Sequence, residues 1–429
     1  MNLKEELQAR NLLYQTNDDQ LFDIYEKGWQ KFYCGYDPTA DSLHLGHFLT
    51  FMAAVNYMKR GNTRYLLVWW ATWFIGDPSG KDSARAFLDE NQLRHNQEWI
   101  TNQVQNILKN LEEIAWYKLN FKVVNNYDFV KDMWIFDFFS NVGKYITVNT
   151  MLTKESIKKR IEDPTLSITY TEFSYMLLQW YDFLHLYENE WVKLQIWWSD
   201  QWWNMVTWTE MIRKKLWNDQ NCYVQTIPLM LDSTGKKFWK SEWNAVRLDP
   251  NKNSPFFVYQ FLMNTTDADV ERFLKAYTLL EIDEINEIVR KHNEKPELRY
   301  WQQRLADYLI TAIFWKSAAE QAQKITEILF GNWDKLELIS KMSDDEKTAL
   351  SRETWSVKMN WNEVRLLDLI VESGLASSNW EAKKMIQAGS IYFNEEKIED
   401  MMKNITSTDL VNWVGLLRKG KKAYKLILG

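Results

Sequence analysis

The first ~230 residues alternate short strand-like runs with stretches of helical length, and this alternation restricts the fold more than any other feature. Lys31–Tyr36 and Arg64–Trp70 are apolar runs rich in aromatic and β-branched residues, and Leu45–Arg60 between them has helical length. The pattern continues over Asn91–Ala115, Leu119–Val124, Thr171–Tyr187 and Trp191–Ile196. Such a sequence predicts an α/β fold with a Rossmann-like parallel sheet, whose ligands bind at the carboxyl ends of its strands.

A second pattern begins near Ser254, where strand signals stop and helical periodicity takes over. The clearest helices are predicted at Asp267–Ala276, Ile282–His292 and Arg299–Leu329. The charge-rich stretch Ser343–Thr354 is interpreted as a linker. We therefore predict three domains: a Rossmann-like domain over residues 1–230, a loop and α-helical domain over 231–345, and a small α+β domain over 350–429.

The C-terminal segment differs in charge from the rest of the chain. Residues 350–429 hold 12 basic and 10 acidic residues, a net charge of +2, whereas the whole chain carries −6, so the first 349 residues carry −8. The basic residues cluster at Arg418, Lys419, Lys421, Lys422 and Lys425. A basic module on an acidic body indicates a polyanionic partner. A solvated basic tail would explain the same charges, and charge alone does not separate the two readings.

Length and composition exclude several classes of protein. A chain of 429 residues is too long for one ordinary domain. The longest apolar run, Tyr65 to Ile75, falls short of the roughly 18 residues that a membrane span needs. The N-terminal MNLKEELQAR lacks the apolar segment of a signal peptide, and the only cysteines, Cys34 and Cys222, are too few for a disulfide framework or a cysteine zinc site. We expect a soluble protein of the reducing cytoplasm.

The strongest local motif is YCGYDPTADSLHLGH, from Tyr33 to His47. It leaves a predicted strand, turns at Asp37-Pro38 and enters a helix whose first turn carries His44 and His47 on one side. Imidazoles at a helix N-terminus can donate hydrogen bonds to phosphate, and Gly46 leaves room for a flat ring. The alternative is a capped helix with two chance histidines, which we disfavour because the chain has only five histidines.

A polar loop, Ser233-Thr234-Gly235-Lys236-Lys237, lies about two hundred residues later and is followed by Lys240. Its composition is typical of a mobile loop, and its lysines could follow a pyrophosphate group. A solvated surface turn is the alternative, and spacing alone does not exclude it.

Three polar residues share one face of the predicted helix Thr171–Tyr187. Tyr175, Gln179 and Asp182 lie at i, i+4 and i+7. Polar groups at this spacing indicate either a lined cavity or a water-facing amphipathic surface.

These motifs resemble those of a known enzyme family. HLGH at 44–47 and KFWKS at 237–241 resemble the paired signatures of class I aminoacyl-tRNA synthetases, although the middle of the second is altered. Longer blocks between residues 33 and 275 narrow the resemblance to bacterial-type tyrosyl-tRNA synthetases: YCGYDPTADSLHLGH, IGDPSGK, TEFSYMLLQWYDF, SDQW, LDPNKNSPFFVYQF and DADVERFLK. The C-terminal SSNWEAKKMIQAGSIYFNEEKIED resembles the small RNA-binding module that ends these enzymes. The resemblance covers nearly the whole chain.

The resemblance implies a tyrosine–tRNA ligase that forms tyrosyl-adenylate from tyrosine and ATP and passes the tyrosyl group to tRNA(Tyr). The implied catalytic residues along the phosphates are His44, His47, Thr39, Lys81, Arg85, Lys237 and Lys240. The implied tyrosine-binding residues are Tyr33 and Asp182 at the phenolic hydroxyl, Asp77, Tyr175 and Gln179 at the ammonium group, and Gln201 beside the α-carbon. The implied ATP-binding residues are Cys34, Asp37, Gly46, Thr50, Trp198, Asp200 and Lys240, and Cys34, His47, Thr50 and Asp200 resemble the ribose-binding set.

The resemblance also implies the enzyme's partners. Mg²⁺ would accompany ATP, with no zinc and no membrane association. The polar loop Ser233–Lys237, which we call the lysine loop, would close over the phosphates in the transition state. The implied assembly is a homodimer with its interface around Phe129–Lys144, bridged by tRNA(Tyr).

Tryptophan stands at many positions where the resembled family has glycine, and the chain holds 24 Trp against 14 Gly. Around the implied adenosine and tyrosine sites these are Trp69, Trp70, Trp73, Trp180, Trp197, Trp198, Trp203, Trp239 and Trp243. Glycine permits positive φ or close approach of a ligand, and an indole permits neither easily. We predict that Trp198 obstructs the nucleotide most and that activity is reduced.

Two other functions are compatible with parts of the sequence. A catalytically silent RNA-binding protein on the same scaffold would keep the basic module while tryptophan fills the nucleotide pocket. A tryptophanyl-tRNA synthetase would share the fold but lack the C-terminal module and the Tyr33/Asp182 pair, so we disfavour it.

Overall fold

The computed structural model describes residues 1–36, 38, 42–75, 90–153, 155–163, 167–216, 221–238, 245–331, 335–354, 356–358, 363–420 and 423–429. The chain forms two compact units. The first comprises Met1–Asn253 and Met263–Phe314, and the second comprises Ser254–Leu262 and Trp315–Gly429. The division into three domains at residues 230 and 345 stays a prediction.

A six-stranded sheet forms the centre of the first unit, in the order β1-β6-β5-β2-β3-β4. Its strands are β1 (Gln15–Thr16), β2 (Lys31–Tyr36), β3 (Thr63–Val68), β4 (Phe121–Asn125), β5 (Leu194–Trp198) and β6 (Tyr223–Ile227). Strand β1 pairs antiparallel with β6, and the other neighbours are parallel. The predicted α/β fold is confirmed. The strand order reverses between β2 and β5, which is where ligands of such sheets bind.

Helices precede, connect and follow these strands. In chain order they are α1 (Leu3–Ala9), α2 (Gln20–Glu26), α3 (Leu45–Met58), α4 (Trp70–Ile75), α5 (Glu90–Ala115), α6 (Tyr127–Val130), α7 (Ile135–Asn141), α8 (Val148–Leu152), α9 (Glu155–Glu162), α10 (Tyr170–Glu190), α11 (Trp202–Leu216), α12 (Pro255–Met263), α13 (Asp267–Tyr277), α14 (Ile282–Glu294) and α15 (Tyr300–Ile313). Strand β2 is covered on both faces. The ring of Phe32 lies 5.2 Å from that of Tyr57 on α3, and the ring of Tyr33 lies 5.2 Å from that of Phe183 on α10.

The second unit combines helices with two small sheets. Its helices, besides most of α12, are α16 (Lys316–Phe330), α17 (Lys335–Ser340), α18 (Asp344–Thr354), α19 (Leu366–Glu372) and α20 (Asn379–Gln387). Its strands are β7 (Val357–Lys358), β8 (Glu363–Arg365), β9 (Ile391–Phe393), β10 (Glu396–Lys397), β11 (Asn404–Thr406), β12 (Val414–Lys419) and β13 (Ala423–Leu428). They form a five-stranded sheet ordered β10-β9-β12-β13-β7 and a β11-β8 pair. Leu366, Ile370, Ile386 and Phe393 belong to the core between α19, α20 and this sheet.

Two predictions about helices were wrong. The predicted linker Ser343–Thr354 is helix α18, because Ser343 and Glu346 form a capping box: the Ser343 N–H donates to Glu346 Oε2 at 2.8 Å, and the Glu346 N–H donates to Ser343 Oγ at 3.3 Å. The predicted helix Arg299–Leu329 is interrupted between α15 and α16. Asn110 Nδ2 donates to the carbonyl oxygens of Ala312 and Phe314, at 3.3 and 3.2 Å, and satisfies groups that the helix end leaves unpaired.

In the part of the chain that the structure describes, no helix is both long enough and apolar enough to cross a membrane.

Candidate active site

Aromatic side chains line the carboxyl ends of β2 and β5. Tyr36 ends β2, and its ring contacts that of Trp197 on β5 edge to face, with ring centres 5.5 Å apart. The Tyr36 ring also lies 5.7 Å from the imidazole of His47. The histidine motif therefore lies at the reversal point of the strand order.

His44 and His47 cap the first turn of α3. The His47 N–H donates to His44 Nδ1 at 3.4 Å, the His44 N–H donates to His47 Nδ1 at 3.2 Å, and the rings stack 3.8 Å apart. Because each Nδ1 accepts, a neutral ring carries its proton on Nε2. Burial, followed by the charges of His44 and Arg247, lowers the pKa of His47 well below its usual value. His47 is therefore neutral at pH 7, with its N–H donor on Nε2.

The chain that follows the lysine loop pairs with the segment before α3. The N–H of Leu45 donates to the carbonyl of Val246 at 2.9 Å, and His44 forms an antiparallel bridge with Arg247. The Arg247 guanidinium donates to the carbonyl of Ser42 at 3.0 Å. This pairing joins the regions of the two signatures. Arg247 was not predicted from the sequence, where its only signal was its position directly before the block that begins at Leu248.

The loop from Leu231 to Lys237 is a short hairpin. The Asp232 carboxylate accepts hydrogen bonds from the N–H groups of Thr234 and Lys236, each at 2.9 Å. Gly235 has a φ of +82°, a conformation that side chains disfavour. Partial burial raises the pKa of the Asp200 carboxyl at the end of β5, and the charge of Lys237 acts against this rise. Lys237 and Asp200 are therefore close in space although they come from different segments.

Asp182 is the buried acid of the site. Its side chain projects from α10, the residue is only 1% exposed, and Oδ2 accepts a hydrogen bond from Asn126 at 3.2 Å. Burial raises its pKa well above the usual value, while the hydrogen bond from Asn126 and the nearby indole N–H of Trp69 oppose the rise. Tyr33 lies in the apolar core with Trp69 and Phe183, and burial and then the charge of Asp182 raise the pKa of its hydroxyl. The predicted pair Tyr33 and Asp182 thus lies together.

Asn126 holds Asp182 in place, a role that was not predicted from the sequence. It follows β4, donates to Thr72 Oγ1 at 2.7 Å and accepts from the N–H of Ala71 at 2.7 Å. Asn126 therefore ties the carboxylate to helix α4. The available signal was a polar residue at the carboxyl end of a parallel strand.

The other predicted side chains of α10 face inward with Asp182. Tyr175 is 1% exposed and Gln179 is 6% exposed, so the alternative of a water-facing amphipathic surface is wrong. Gln201, after β5, is half-buried and accepts a hydrogen bond from Asn204 at 3.0 Å.

Cys34, Thr50 and Gly46 are buried in or beside α3. Thr50 Oγ1 donates to the carbonyl of His47 at 2.7 Å and hydrogen-bonds the hydroxyl of Tyr36. Burial raises the pKa of the Cys34 thiol, against the opposing charge of Arg64. Thr50 is therefore already bonded within the protein, and a ribose-binding role for Cys34 and Thr50 stays a prediction.

The tryptophan Trp69 lies in the same buried core cluster as Tyr33. It is 4% exposed, and its ring centre lies 5.5 Å from that of Trp197. Trp198 is buried at the end of β5. From the sequence, Trp198 was predicted to obstruct the nucleotide, and the approach of Trp69 to Asp182 was not predicted.

Several predicted residues lie outside the described part of the chain: Asp37, Thr39, Asp77, Lys81, Arg85, Lys240, Trp239 and Trp243. The side chain of Trp73 is outside it as well.

Known proteins resemble the chain over its full length. A family model described as tRNA synthetases class I (W and Y) matches residues 26–331, and one described as the tyrosine–tRNA ligase SYY-like C-terminal domain matches residues 346–427. The tyrosine–tRNA ligase of Streptococcus mutans is 42% identical over 430 residues, covering 99% of each chain. That of Streptococcus suis is 40% identical over 433 residues, covering both chains completely. The chain belongs to the tyrosine–tRNA ligase family.

Solved structures of the family support the same assignment. A C-terminally truncated mitochondrial tyrosyl-tRNA synthetase from Aspergillus nidulans has a TM-score of 0.69 at 26% identity, covering 77% of this chain and 94% of that chain. Membership of the tyrosine–tRNA ligase family confirms the resemblance inferred from the sequence. It favours the enzyme over a catalytically silent RNA-binding protein.

Proposed function

We propose that this chain activates tyrosine with ATP and transfers the tyrosyl group to tRNA(Tyr) in the cytoplasm. The observation that carries the proposal is the convergence at the ends of β2 and β5. There His47 lies beside Tyr36, whose ring contacts Trp197. Asp200 follows β5 with Lys237 nearby, and Tyr33 lies near Asp182, although these residues come from distant parts of the sequence.

In the first step, a carboxylate oxygen of tyrosine attacks the α-phosphorus of ATP. The bond from that phosphorus to the oxygen that bridges to the β-phosphorus breaks, and pyrophosphate leaves with the electron pair. The reaction needs position and charge more than proton transfer, because the substrate carboxylate is itself the nucleophile. Imidazole N–H groups of His44 and His47 would donate to phosphate oxygens. Positive charge would come from Lys237, Lys240, Lys81 and Arg85, with a hydroxyl from Thr39.

ATP would enter with Mg²⁺ bound to its phosphates. Among the described residues, no group of three or more His, Cys, Asp or Glu side chains is arranged to hold a metal ion. Mg²⁺ would enter as part of the substrate complex. The proposed ATP-binding residues are Cys34, Asp37, Gly46, Thr50, Trp198, Asp200 and Lys240.

Tyrosine would be selected by hydrogen bonds at both of its ends. Tyr33 and Asp182 would bind the phenolic hydroxyl, and Asp77, Tyr175 and Gln179 would bind the ammonium group, with Gln201 beside the α-carbon. In the second step a ribose hydroxyl at the tRNA terminus attacks the carbonyl carbon of tyrosyl-adenylate, its proton is lost and AMP leaves.

The test is tyrosine-dependent ATP–pyrophosphate exchange together with charging of tRNA(Tyr) by the unmodified protein. His44→Asn keeps an N-cap acceptor but removes the imidazole, so the exchange rate should fall by about 10²–10³ while folding is retained. His95→Asn is the matched control, because His95 is exposed on α5, and it should leave exchange unchanged. Absence of tyrosyl-tRNA after prolonged incubation would reject the proposed function, and equal losses for both variants would reject the role of His44.

The proposed homodimer is supported by an apolar surface on and beside α7. Trp134, Ile135, Phe136 and Phe139 are 63, 53, 62 and 47% exposed. Large exposed apolar side chains in one segment are typical of a protein interface. Sedimentation equilibrium should give a dimer for the unmodified protein and a monomer for Phe136→Asp, and a monomer in both cases would contradict the proposal.

A further inference from the structure

The indole of Trp69 lies directly on the backbone of β2. The backbone N–H of Trp69 donates to the carbonyl of Tyr36 at 2.9 Å, which fixes the start of the side chain at the carboxyl end of the sheet. A Cβ atom added at Gly35 would lie 2.2, 2.3 and 2.7 Å from atoms Cζ2, Cε2 and Cη2 of this indole. The ring therefore fits only because residue 35 has no side chain.

The polar edge of the same indole faces Asp182. Trp69 Nε1 and Asp182 Oδ1 are both buried, and neither makes a hydrogen bond of ordinary geometry. Burial dominates the pKa of Asp182 and raises it, while Asn126 and then the indole N–H act in the opposite direction. The indole N–H is thus near the carboxyl group without closing a good hydrogen bond to it.

We propose that Trp69 occludes the tyrosine site, with its indole in the place of the substrate side chain between Gly35, Tyr33 and Asp182. This inference rests on the proposed tyrosine-binding role of Tyr33 and Asp182. An indole and a phenol are both flat rings with one hydrogen-bond donor on the edge. Since Asp182 can direct Oδ1 to only one of them, tyrosine binds only when the Trp69 side chain moves out.

Displacing a buried indole weakens substrate binding, so removing it should strengthen binding. Trp69→Gly should raise the affinity for tyrosine by about tenfold to a hundredfold, the range that corresponds to relief of typical overpacking. Trp69→Ala should also raise the affinity for tyrosine, and it provides the same test if the glycine variant does not fold.

Trp70→Gly is the matched control. Trp70 is the next residue and is similarly buried, at 7% exposed, but its ring packs against Tyr127 at 4.7 Å. Loss of its indole should leave tyrosine affinity unchanged or lower it.

The experiment is equilibrium dialysis of labelled tyrosine against each protein, without ATP or tRNA, with free indole as a second probe. Free indole should bind Trp69→Gly, because small aromatic molecules enter engineered apolar cavities, and should compete with tyrosine there. Unchanged tyrosine affinity in both Trp69 variants, an equal gain in Trp70→Gly, or non-competitive binding of indole would each overturn the inference. Charging of tRNA by the unmodified protein is a separate readout, so the proposed function can fail or hold independently.

Discussion

At the scale of single residues, the carboxyl group of Asp182 has the most unusual environment in the site. Asp182 is 1% exposed, and Asn126 provides one hydrogen bond to Oδ2. Ionisation in such surroundings is costly, because a lone charge loses its water and gains little in return. Burial accordingly moves the pKa of Asp182 well above 3.8.

Asp182→Asn should therefore change how stability depends on pH. Below about pH 3.8, the pKa of Asp182 in the unfolded state, its carboxyl group is protonated in both the folded and the unfolded wild-type protein. Between that pH and the raised pKa of the folded state, the carboxyl group is ionised only in the unfolded protein. The wild-type protein thus loses stability with rising pH through this window. The unfolding free energy of Asp182→Asn minus that of the wild type should rise by up to about 1.4 kcal/mol per pH unit. Urea unfolding from pH 4 upward measures this difference, and a difference independent of pH would contradict the argument.

Part of the chemistry of the site could be predicted from the sequence. The histidine motif and the i, i+4, i+7 spacing of Tyr175, Gln179 and Asp182 depend on local periodicity, so their orientation could be predicted. The contacts of Arg247 and of Trp69 could not, because they join segments that are distant in the chain. Their partners are set by sheet order, which periodicity does not specify.

At the scale of secondary-structure elements, several helices and turns end in tryptophan with a left-handed backbone. Trp116 follows α5 with φ of 58°, Trp191 caps α10 with φ of 59°, and Trp413 lies in a two-residue hairpin turn with φ of 66°. Glycine is the usual residue at such positions, since a Cβ atom makes left-handed backbone unfavourable. The large side chains gain little packing in return, being 92, 69 and 63% exposed.

Trp116→Gly should consequently stabilise the protein by about 1 kcal/mol, because it removes the left-handed backbone cost of an L-residue at an exposed position. Trp99→Gly provides a control on the same helix, since Trp99 lies inside α5 and is partly exposed. There glycine should destabilise the protein by about 1 kcal/mol through loss of helix propensity. Guanidinium denaturation of both variants gives the comparison, and destabilisation by both would show that the Trp116 side chain contributes to packing.

Element boundaries show which sequence signals were sufficient. Strand β2 was predicted with its observed bounds, and α3, α5 and α10 to within a few residues, because long periodic segments with clear ends dominate local structure. The interruption between α15 and α16 at Phe314–Trp315 contains no Gly or Pro from which it could be predicted. It depends on hydrogen bonds from Asn110 of α5. The spacing of Ser343 and Glu346 matches a capping box, which favours a helix, but the segment was interpreted as a linker because it is polar.

At the scale of the whole molecule, positive charge is concentrated near the C-terminus, but part of it stabilises the fold. Arg418 pairs with Glu395 at 3.1 Å and lies over the ring of Tyr392 at 3.8 Å, and Lys419 donates to the carbonyl of Leu375 at 3.2 Å. Helix α20 is different because it presents exposed lysines beside an aromatic ring. There Lys384 Nζ lies 3.7 Å from the ring centre of Trp380, which is 66% exposed.

Cations beside an exposed aromatic face are typical of surfaces that bind nucleic acid. Lys383 and Lys384 are both exposed, so we expect them to contact tRNA phosphates. Substitution is preferable to truncation, because the core of the second unit packs Ile325 and Ile328 of α16 with Leu416 and Leu426 of the terminal strands. Deleting residues 350–429 would therefore expose apolar surface and confuse the measurement.

The double variant Lys383→Gln/Lys384→Gln should weaken tRNA(Tyr) binding, and the weakening should be largest at low salt. Each lost phosphate contact removes about 0.7–0.9 from the slope of log affinity against log salt, so two contacts should flatten the slope by roughly 1.5. Lys316→Gln/Lys341→Gln removes the same charge from exposed lysines outside the C-terminal module and serves as the control. Binding is measured over a salt series, with ATP–pyrophosphate exchange expected to stay constant since no tRNA takes part in it. Equal slopes for the two double variants would mean that net charge, rather than the surface of α20, governs the encounter with tRNA.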